Sequence, residues 1–157
     1  MNMWVSSTTS WIPDAIFMKG NEPIDMRLLE GRDCYAGLDL SSTGDITALV
    51  LIFPPRNANE KYILVPFFWV PEETIPQRVK ANSVPYDVWE KQGHLLATEG
   101  NATHMIQNLE DAGFTMVPFG QGFASMSTPT KEFYRLLTEG QIVHAGHACR
   151  STTRRRK

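Results

Sequence analysis

The stretch that decides the fold is CYAGLDLSSTGDITALVLIF, residues 34–53, in which two apolar runs flank a short polar turn. Both runs are short, and their Tyr, Thr, Val and Ile residues favour strands over helices. The Ser, Thr, Gly and Asp residues at 41–45 are typical of a tight turn between strands. The stretch therefore predicts an antiparallel hairpin.

A single carboxylate, Asp39, lies inside the first apolar run. In a strand it shares one face with Tyr35 and Gly37, so we expect it to stand among groups that solvate a charge poorly. Such a position is costly unless a cation, a proton or hydrogen-bond donors compensate the charge. Two interpretations remain open. Asp39 is a metal ligand at the centre of a sheet, or it ends its strand and accepts hydrogen bonds from residues 41–43 in an Asx-type turn.

The overall composition sets limits on the kind of protein. A chain of 157 residues that is 42% hydrophobic is long enough for one domain with a core and too short for two comfortable ones. No apolar run approaches the roughly eighteen residues of a membrane span, and the N-terminus lacks a signal-peptide pattern. Two cysteines do not make a disulfide framework. We expect a soluble protein of the cytoplasm.

The formal charge of −2 hides an uneven distribution. Five of the fifteen Lys and Arg residues, including Arg154, Arg155 and Arg156, lie in the last eight positions, which contain no acidic residue. The rest of the chain is acidic and does not resemble a general polyanion binder. The basic tail predicts either added affinity for nucleic acid or a disordered terminus without a partner.

The rest of the chain alternates helical and strand patterns. A third strand is predicted at Tyr62–Trp69, where Pro66 favours an edge position or a bulge. Further predicted helices lie at 26–30, 71–82, 85–92, 103–112 and 128–139, and further strands at 115–119 and 141–145. This succession predicts an α/β fold.

A glycine-rich segment, GQGFASMS at 120–127, is predicted to be a loop. Its G-x-G start lacks the rest of a dinucleotide-binding fingerprint, so nucleotide binding is not expected. Gly120 and Gly122 leave room for a DNA backbone and Ser125 offers a donor, which makes these residues candidate DNA contacts. The potential zinc ligands near the end, such as His144, have no second ligand pair and are interpreted as incidental.

Four segments in order carry a resemblance to a known family. They are GLDLSSTGDITALVLIF, YILVPFFWVPEE, VPYDVWEKQG and MIQNLEDAGFTMVPFGQGFASMSTPTKEF. Together they resemble the nuclease domain of the large terminase subunit of tailed phages, over the chain from Trp4 to about His144. The resemblance implies a ribonuclease H-like mixed sheet with flanking helices. It also implies a lead-in at 1–33, a partial nuclease domain at 34–145 and a basic, disordered tail at 146–157.

The resemblance also implies a chemistry, in which two Mg²⁺ or Mn²⁺ ions held by several carboxylates hydrolyse phosphodiester bonds of double-stranded DNA. Asp39 matches the family's first metal-binding acid. Asp45, in the matched SSTGD turn, is either an auxiliary catalytic group or an ordinary turn residue. The strand that carries the second acid is expected between the helices at 85–92 and 103–112, where TEGNATHM leaves no room for it. A further acid, expected after the last matched segment, is also missing.

The expected fold is therefore incomplete, and we interpret the chain as an internally deleted and truncated prophage remnant with weak or lost activity. In intact relatives the partners are the ATPase domain, the small terminase subunit and the portal, in the cytoplasm of a bacterial host. No G-x-x-x-x-G-K-[ST] loop occurs here, so ATP hydrolysis is not expected. The alternatives are a non-catalytic DNA-binding or assembly accessory protein, and a chain that never folds stably.

Overall fold

The computed structural model describes residues 11–40, 46–82, 85–98 and 103–145. The strands are β1 (Tyr35–Asp39), β2 (Thr47–Phe53), β3 (Tyr62–Pro71), β4 (Leu96–Thr98) and β5 (Ile142–Val143). The α-helices are α1 (Asp14–Phe17), α2 (Ile75–Asn82), α3 (Tyr86–Lys91), α4 (Thr103–Asp111) and α5 (Phe123–Thr138). Short 3₁₀ helices lie at Met18–Gly20, Met26–Leu29 and Glu72–Thr74.

The strands form one five-stranded sheet in the order β1-β2-β3-β4, and β5 also pairs with β3. β4 and β5 are both parallel to β3. The connections from β1 to β2 and from β2 to β3 are too short for parallel crossovers, so these neighbouring strands run antiparallel. The predicted mixed α/β sheet with flanking helices is confirmed.

Pro66 lies within β3, and of the two predicted alternatives the edge position is wrong, whereas the bulge stays a prediction. β3 pairs with β2, β4 and β5, so it is central to the sheet. The register with β5 covers Tyr62 and Ile63, and the register with β4 begins at Trp69. Pro66 falls between these two registers. Its missing N–H therefore removes no hydrogen bond from either parallel pairing.

The described residues form two compact units. The first unit falls within 1–34, 52–65 and 121–157. Its core contains Ile12, Leu137 and Ile142, with residues of α1 and α5 packed against them. Part of the predicted irregular lead-in is therefore structured, because one turn of helix in α1 contributes Ile16 and Phe17 to this core.

The second unit falls within 35–51 and 66–120. Its core is formed by Val70, Ile75, Tyr86, Trp89 and Leu95. The rings of Tyr86 and Trp89 on α3 meet edge to face, with centroids 5.6 Å apart. Apolar residues of the two predicted helices, at 71–82 and 85–92, are thus buried in the same core, as expected for amphipathic helices.

The interval between α3 and α4, predicted to lack the strand that carries the second acid, contains β4. Leu95 is buried in the core of the second unit, and the next three residues pair with Trp69, Val70 and Pro71 of β3. β4 ends at Thr98, before the point at which the acid-bearing strand is expected to be missing, so the absence of that strand stays a prediction. The residues of β4 are Leu96, Ala97 and Thr98, so this strand brings no carboxylate.

The strand predicted at Thr115–Phe119 is not formed, and this prediction is wrong. The segment has no regular structure, and Val117 and Phe119 are exposed. A strand requires a partner, and none of the described strands pairs with this segment. Apolar and β-branched residues alone did not suffice to make it a strand.

Candidate functional site around Asp39

Asp39 is the last residue of β1, as its position after an apolar run predicts. The expectation that it stands among apolar groups is wrong, because Asp39 is exposed. On the same strand face, the Tyr35 side chain is 72% exposed and Gly37 has no atom within 4 Å of where a Cβ would lie. The reason lies in the sheet order, since β1 is a terminal strand. The Asp39 carboxylate is therefore solvated rather than buried.

The second predicted catalytic residue, Asp45, lies outside the described residues. The same holds for residues 41–43, which would donate hydrogen bonds to Asp39 in an Asx-type turn. The auxiliary role of Asp45 and the turn interpretation of Asp39 both stay predictions.

The described donor groups do not fit the metal centre that the resemblance implies. Across residues 11–40, 46–82, 85–98 and 103–145, no three His, Cys, Asp or Glu side chains are grouped to hold a metal ion. A hard divalent cation such as Mg²⁺ takes about six oxygen ligands, and two such ions need several carboxylates between them. Asp39 supplies one. The described part of the chain therefore offers one candidate ligand and no two-ion site.

The loop predicted at 120–127 is shorter in the structure, because Gly120 and Gly122 lie in it whereas Ser125 is helical. α5 begins at Phe123, with Gly122 as its N-cap, and the Ser125 N–H donates to the Gly122 carbonyl over 3.1 Å. Ser125 thus lies in the first helical turn, whereas Gly120 precedes the helix. The prediction failed because the composition of 120–127 is typical of loops and Pro129 marked a later start. Arg154, Arg155 and Arg156 lie outside the described residues.

His144 has a structural role that sequence reasoning missed. Its ring is buried and stacks on Phe17 with centroids 4.0 Å apart. The ring Nε2–H donates to the Phe17 carbonyl over 2.7 Å, and the His144 backbone N–H donates to the Gly20 carbonyl over 2.9 Å. Because Nε2 carries a donated proton, it is not free to bind zinc. No local pattern signals these contacts, since Phe17 and His144 are far apart in the chain.

A charged cluster in the first unit involves Arg32, Arg56 and Glu60. Arg56 donates to both carboxylate oxygens of Glu60 at 2.8 to 3.2 Å, and Arg32 lies 3.6 Å from Glu60. Hydrogen bonds from the Arg56 side chain and backbone lower the pKa of Glu60 to about 2. The largely buried Arg32 side chain also donates to the Pro54 carbonyl and lies over the Phe53 ring. The cluster secures the β2–β3 connection and offers no free carboxylate.

Comparison with known proteins identifies the family. A family profile described as terminase large subunit, endonuclease domain, matches residues 1–114. The chain belongs to the terminase endonuclease family. The match covers β1 to β4 and α1 to α4, and with them Asp39.

Individual relatives support this assignment to the endonuclease family. The large terminase subunit of Enterobacteria phage HK97 is 30% identical over 179 residues, which cover 94% of this chain and 34% of that protein. Protein YmfN of Escherichia coli (strain K12) is 20% identical over 184 residues, covering 94% of this chain and 40% of that protein. The crystal structure of the HK97 large terminase matches with a TM-score of 0.72 and 27% identity, over 90% of this chain and 35% of that chain.

The alignments also show how this endonuclease domain differs in length from its relatives. The chain spans about a third of the length of the HK97 relative. Both alignments, at 179 and 184 residues, are also longer than the whole chain of 157 residues. The relatives therefore contain residues, within the aligned region, that have no counterpart here.

None of the described helices is long and apolar enough to cross a membrane.

Proposed function

We propose that this chain descends from the DNA-cleaving part of a phage terminase and that its own cleavage activity is weak or lost. The ancestral activity is hydrolysis of double-stranded DNA during genome packaging, with two Mg²⁺ or Mn²⁺ ions. The family match and the likeness to the HK97 terminase support the ancestry. A relative named from a bacterium supports the prophage origin that we infer.

The observation that carries the loss of activity is the isolation of Asp39. Its carboxylate is exposed, and no described His, Cys, Asp or Glu side chains complete a metal-binding group. A single exposed carboxylate holds a hard cation weakly, because water competes for every remaining ligand position. Two ions held close enough to act on one phosphodiester need a shared set of carboxylates. The described donor set supports no such pair.

The length difference from the relatives supports the same proposal. The aligned regions of the relatives include residues with no counterpart in this chain. We propose that these residues fall between Thr98 and Thr103 and include the missing metal-binding acid. β4 retains its pairing with β3 and ends at Thr98, so the sheet reaches this point without the extra segment. An internal loss of this kind removes a ligand while leaving the core of the second unit intact.

A cleavage assay tests the proposal. Supercoiled plasmid is incubated with the wild-type chain and with Asp39→Asn, each with millimolar Mn²⁺ or Mg²⁺ and each with EDTA. We expect no nicking by the wild type above the level of the Asp39→Asn variant. Metal-dependent nicking that disappears in Asp39→Asn would show an active nuclease and overturn the proposal. Circular dichroism of both proteins confirms that the comparison is made between folded chains.

A second candidate function is DNA binding without cleavage. It is favoured by the concentration of basic residues at 150–157, in a chain that is otherwise acidic. The backbone N–H groups at the start of α5, next to Gly120, Gly122 and Ser125, could add phosphate contacts, since Gly122 provides no side-chain cap. The docking partners of such an accessory protein, an intact terminase or the portal, follow from the family alone.

Filter retention of labelled duplex DNA between 50 and 200 mM salt tests this second function. If the tail binds DNA, replacing Arg154, Arg155 and Arg156 together with glutamine reduces retention. The salt dependence also becomes flatter, because the slope of log K against log salt falls by about 0.9 for each phosphate that the tail no longer neutralises. Lys91→Gln combined with Lys131→Gln serves as a control for removal of positive charge elsewhere. Retention that the tail variant leaves unchanged would exclude this function.

A further inference from the structure

Among the described strands, β1 is a terminal strand of the sheet, and most of its residues are exposed. Its sequence, YAGLD, contains neither lysine nor proline, two of the residues with which proteins commonly block an edge strand. Four of its five residues are exposed, including Tyr35 and Gly37. Within the described sheet β1 has β2 as its one neighbour. Its outer edge thus offers backbone donors and acceptors to another strand.

We propose that this edge binds the β1 strand of a second copy of the chain, antiparallel and with Gly37 opposite Gly37. This pairing is symmetric, as the interface of a two-fold dimer requires. On one face it places Tyr35 of each copy opposite Asp39 of the other. On the other face it places Ala36 of each copy opposite Leu38 of the other. In this register the side chains of β1 are therefore complementary to those of β1 in the second copy.

The side-chain chemistry favours this register. The Tyr35 hydroxyl is a donor that faces the Asp39 carboxylate across the strands, and the exposed Asp39 has no ion pair among the described residues. The two Asp39 carboxylates lie at opposite ends of the paired segment, so their charges do not repel. At the dyad, Gly37 has open space where a Cβ would lie, and two glycines bring the strands together without a clash.

Neighbouring registers are poorer. Pairing centred on Ala36 would place Asp33 opposite Asp39 twice, and like charges directly opposite one another destabilise a strand pair. Pairing centred on Leu38 would place Asp39 opposite Gly37, which offers no side-chain donor. The register centred on Gly37 alone gives Asp39 a donor and keeps the carboxylates apart.

The dimer should be weak, because one pair of five-residue strands buries far less than the roughly 1,200 Å² at which stable interfaces begin. We therefore expect a reversible equilibrium that depends on concentration. A covalent trap is the sharpest test of such an equilibrium. It also reports the register, which a molecular mass alone does not.

The trap uses the full chain with Cys34→Ser and Cys149→Ser, so that the cysteine introduced next is the only one in each copy. Gly37→Cys in this background brings two cysteines opposite one another, with Cα atoms about 4.5 to 5.5 Å apart, which a disulfide spans. We expect a disulfide dimer under mild oxidation. Leu38→Cys is the matched control, because in the proposed register its partner is Ala36. Monomer from Gly37→Cys, or a dimer formed by Leu38→Cys but not by Gly37→Cys, would overturn the proposal.

Sedimentation velocity at increasing concentration provides a test without cysteines. We expect the wild type to show a dimer fraction that rises with concentration and Gly37→Lys to abolish it, since two lysines would then face each other at the dyad. Leu28→Lys adds the same charge at a side chain that is 71% exposed, and it should dimerise as the wild type does. A wild-type monomer throughout, or equal dimer fractions in all three proteins, would contradict the proposal.

Discussion

Gly20 and His144 show how single residues hold the first unit together. A Cβ atom at Gly20 would lie 2.5 Å from the Ile142 carbonyl oxygen and 2.7 Å from His144 Cδ2. Real Cβ atoms essentially never come so close to other atoms, and a buried carbonyl next to a stacked ring has little room to move. The glycine is therefore required for close packing rather than for an unusual backbone angle.

Gly20→Ala should destabilise the chain by about 1–3 kcal/mol, because the added methyl group forces the backbone or the imidazole ring away. Urea unfolding followed by circular dichroism measures the change. Gly37→Ala is the matched control, since a Cβ there meets nothing within 4 Å, and its unfolding midpoint should stay close to that of the wild type. Equal effects of the two substitutions would show that Gly20 is not tightly packed.

Glu60 should make the stability depend on pH in the acid range. Hydrogen bonds from Arg56 lower its pKa from 4.5 to about 2 in the folded chain. A lowered pKa means that Glu60 contributes stability above about pH 4.5 and loses this contribution as the pH falls from about 4.5 to about 2. The melting temperature of Glu60→Gln should therefore lie below that of the wild type at pH 7 and approach it near pH 2.

Glu110→Gln, which changes an exposed carboxylate without an ion pair among the described residues, controls for the loss of charge itself. Its melting temperature should follow that of the wild type across the same pH range. A Glu60→Gln deficit that does not change with pH would show that Glu60 acts through packing and not through its charge.

At the scale of elements, α5 combines a correct prediction with a misplaced start. Phe133, Leu136 and Leu137 pack toward the core of the first unit, as their spacing predicts. Pro129, expected at the first helical position, lies inside the helix instead. It has no N–H to give to the carbonyl of Ser125, and its ring crowds that carbonyl. The helix tolerates this because the buried face of its C-terminal half holds it in place.

Pro129→Ala should stabilise the chain by about 1–3 kcal/mol, because it restores a helical hydrogen bond and removes the crowding. Chemical unfolding, with helical content followed at 222 nm, gives the change. Pro85→Ala tests whether the gain is specific to a helix interior, since Pro85 is the N-cap of α3 and should yield no comparable increase. A loss of stability in Pro129→Ala would indicate that the proline constrains the unfolded chain more than it strains the helix.

At the scale of the whole molecule, the sheet order decides what Asp39 can do. β1 ends the described sheet, and Asp39 ends β1, so its carboxylate meets water rather than further ligands. The sheet contains the three consecutive strands β1 to β3, and β4 and β5 pair with opposite ends of β3. The fold of a terminase endonuclease thus persists in a chain whose described residues hold no metal-binding group.

Divalent metal should therefore leave the stability of the chain unchanged. A ligand that binds only the folded state stabilises it by RT ln(1 + [L]/Kd), about 2.7 kcal/mol at a hundredfold excess over Kd. We expect the wild type and Asp39→Asn each to unfold at the same temperature in millimolar Mn²⁺ as in EDTA. A cooperative transition raised by Mn²⁺ in the wild type alone would reveal a metal site completed by residues outside the described ranges. Loss of any cooperative transition would contradict the fold itself.

The sequence by itself determined the elements that depend on local pattern. Short apolar runs with β-branched and aromatic residues located β1, β2 and β3, and the end of an apolar run located Asp39. Charge placement and bounding residues located α2 and α3, and helical spacing located α4. The four matched segments also determined the family. Tertiary structure alone decided that Asp39 is exposed, that β3 is central despite Pro66, that 115–119 forms no strand and that His144 is buried against Phe17. The physical reason is that periodicity records the preference of a segment, whereas burial and strand pairing depend on which distant segments are present to cover it.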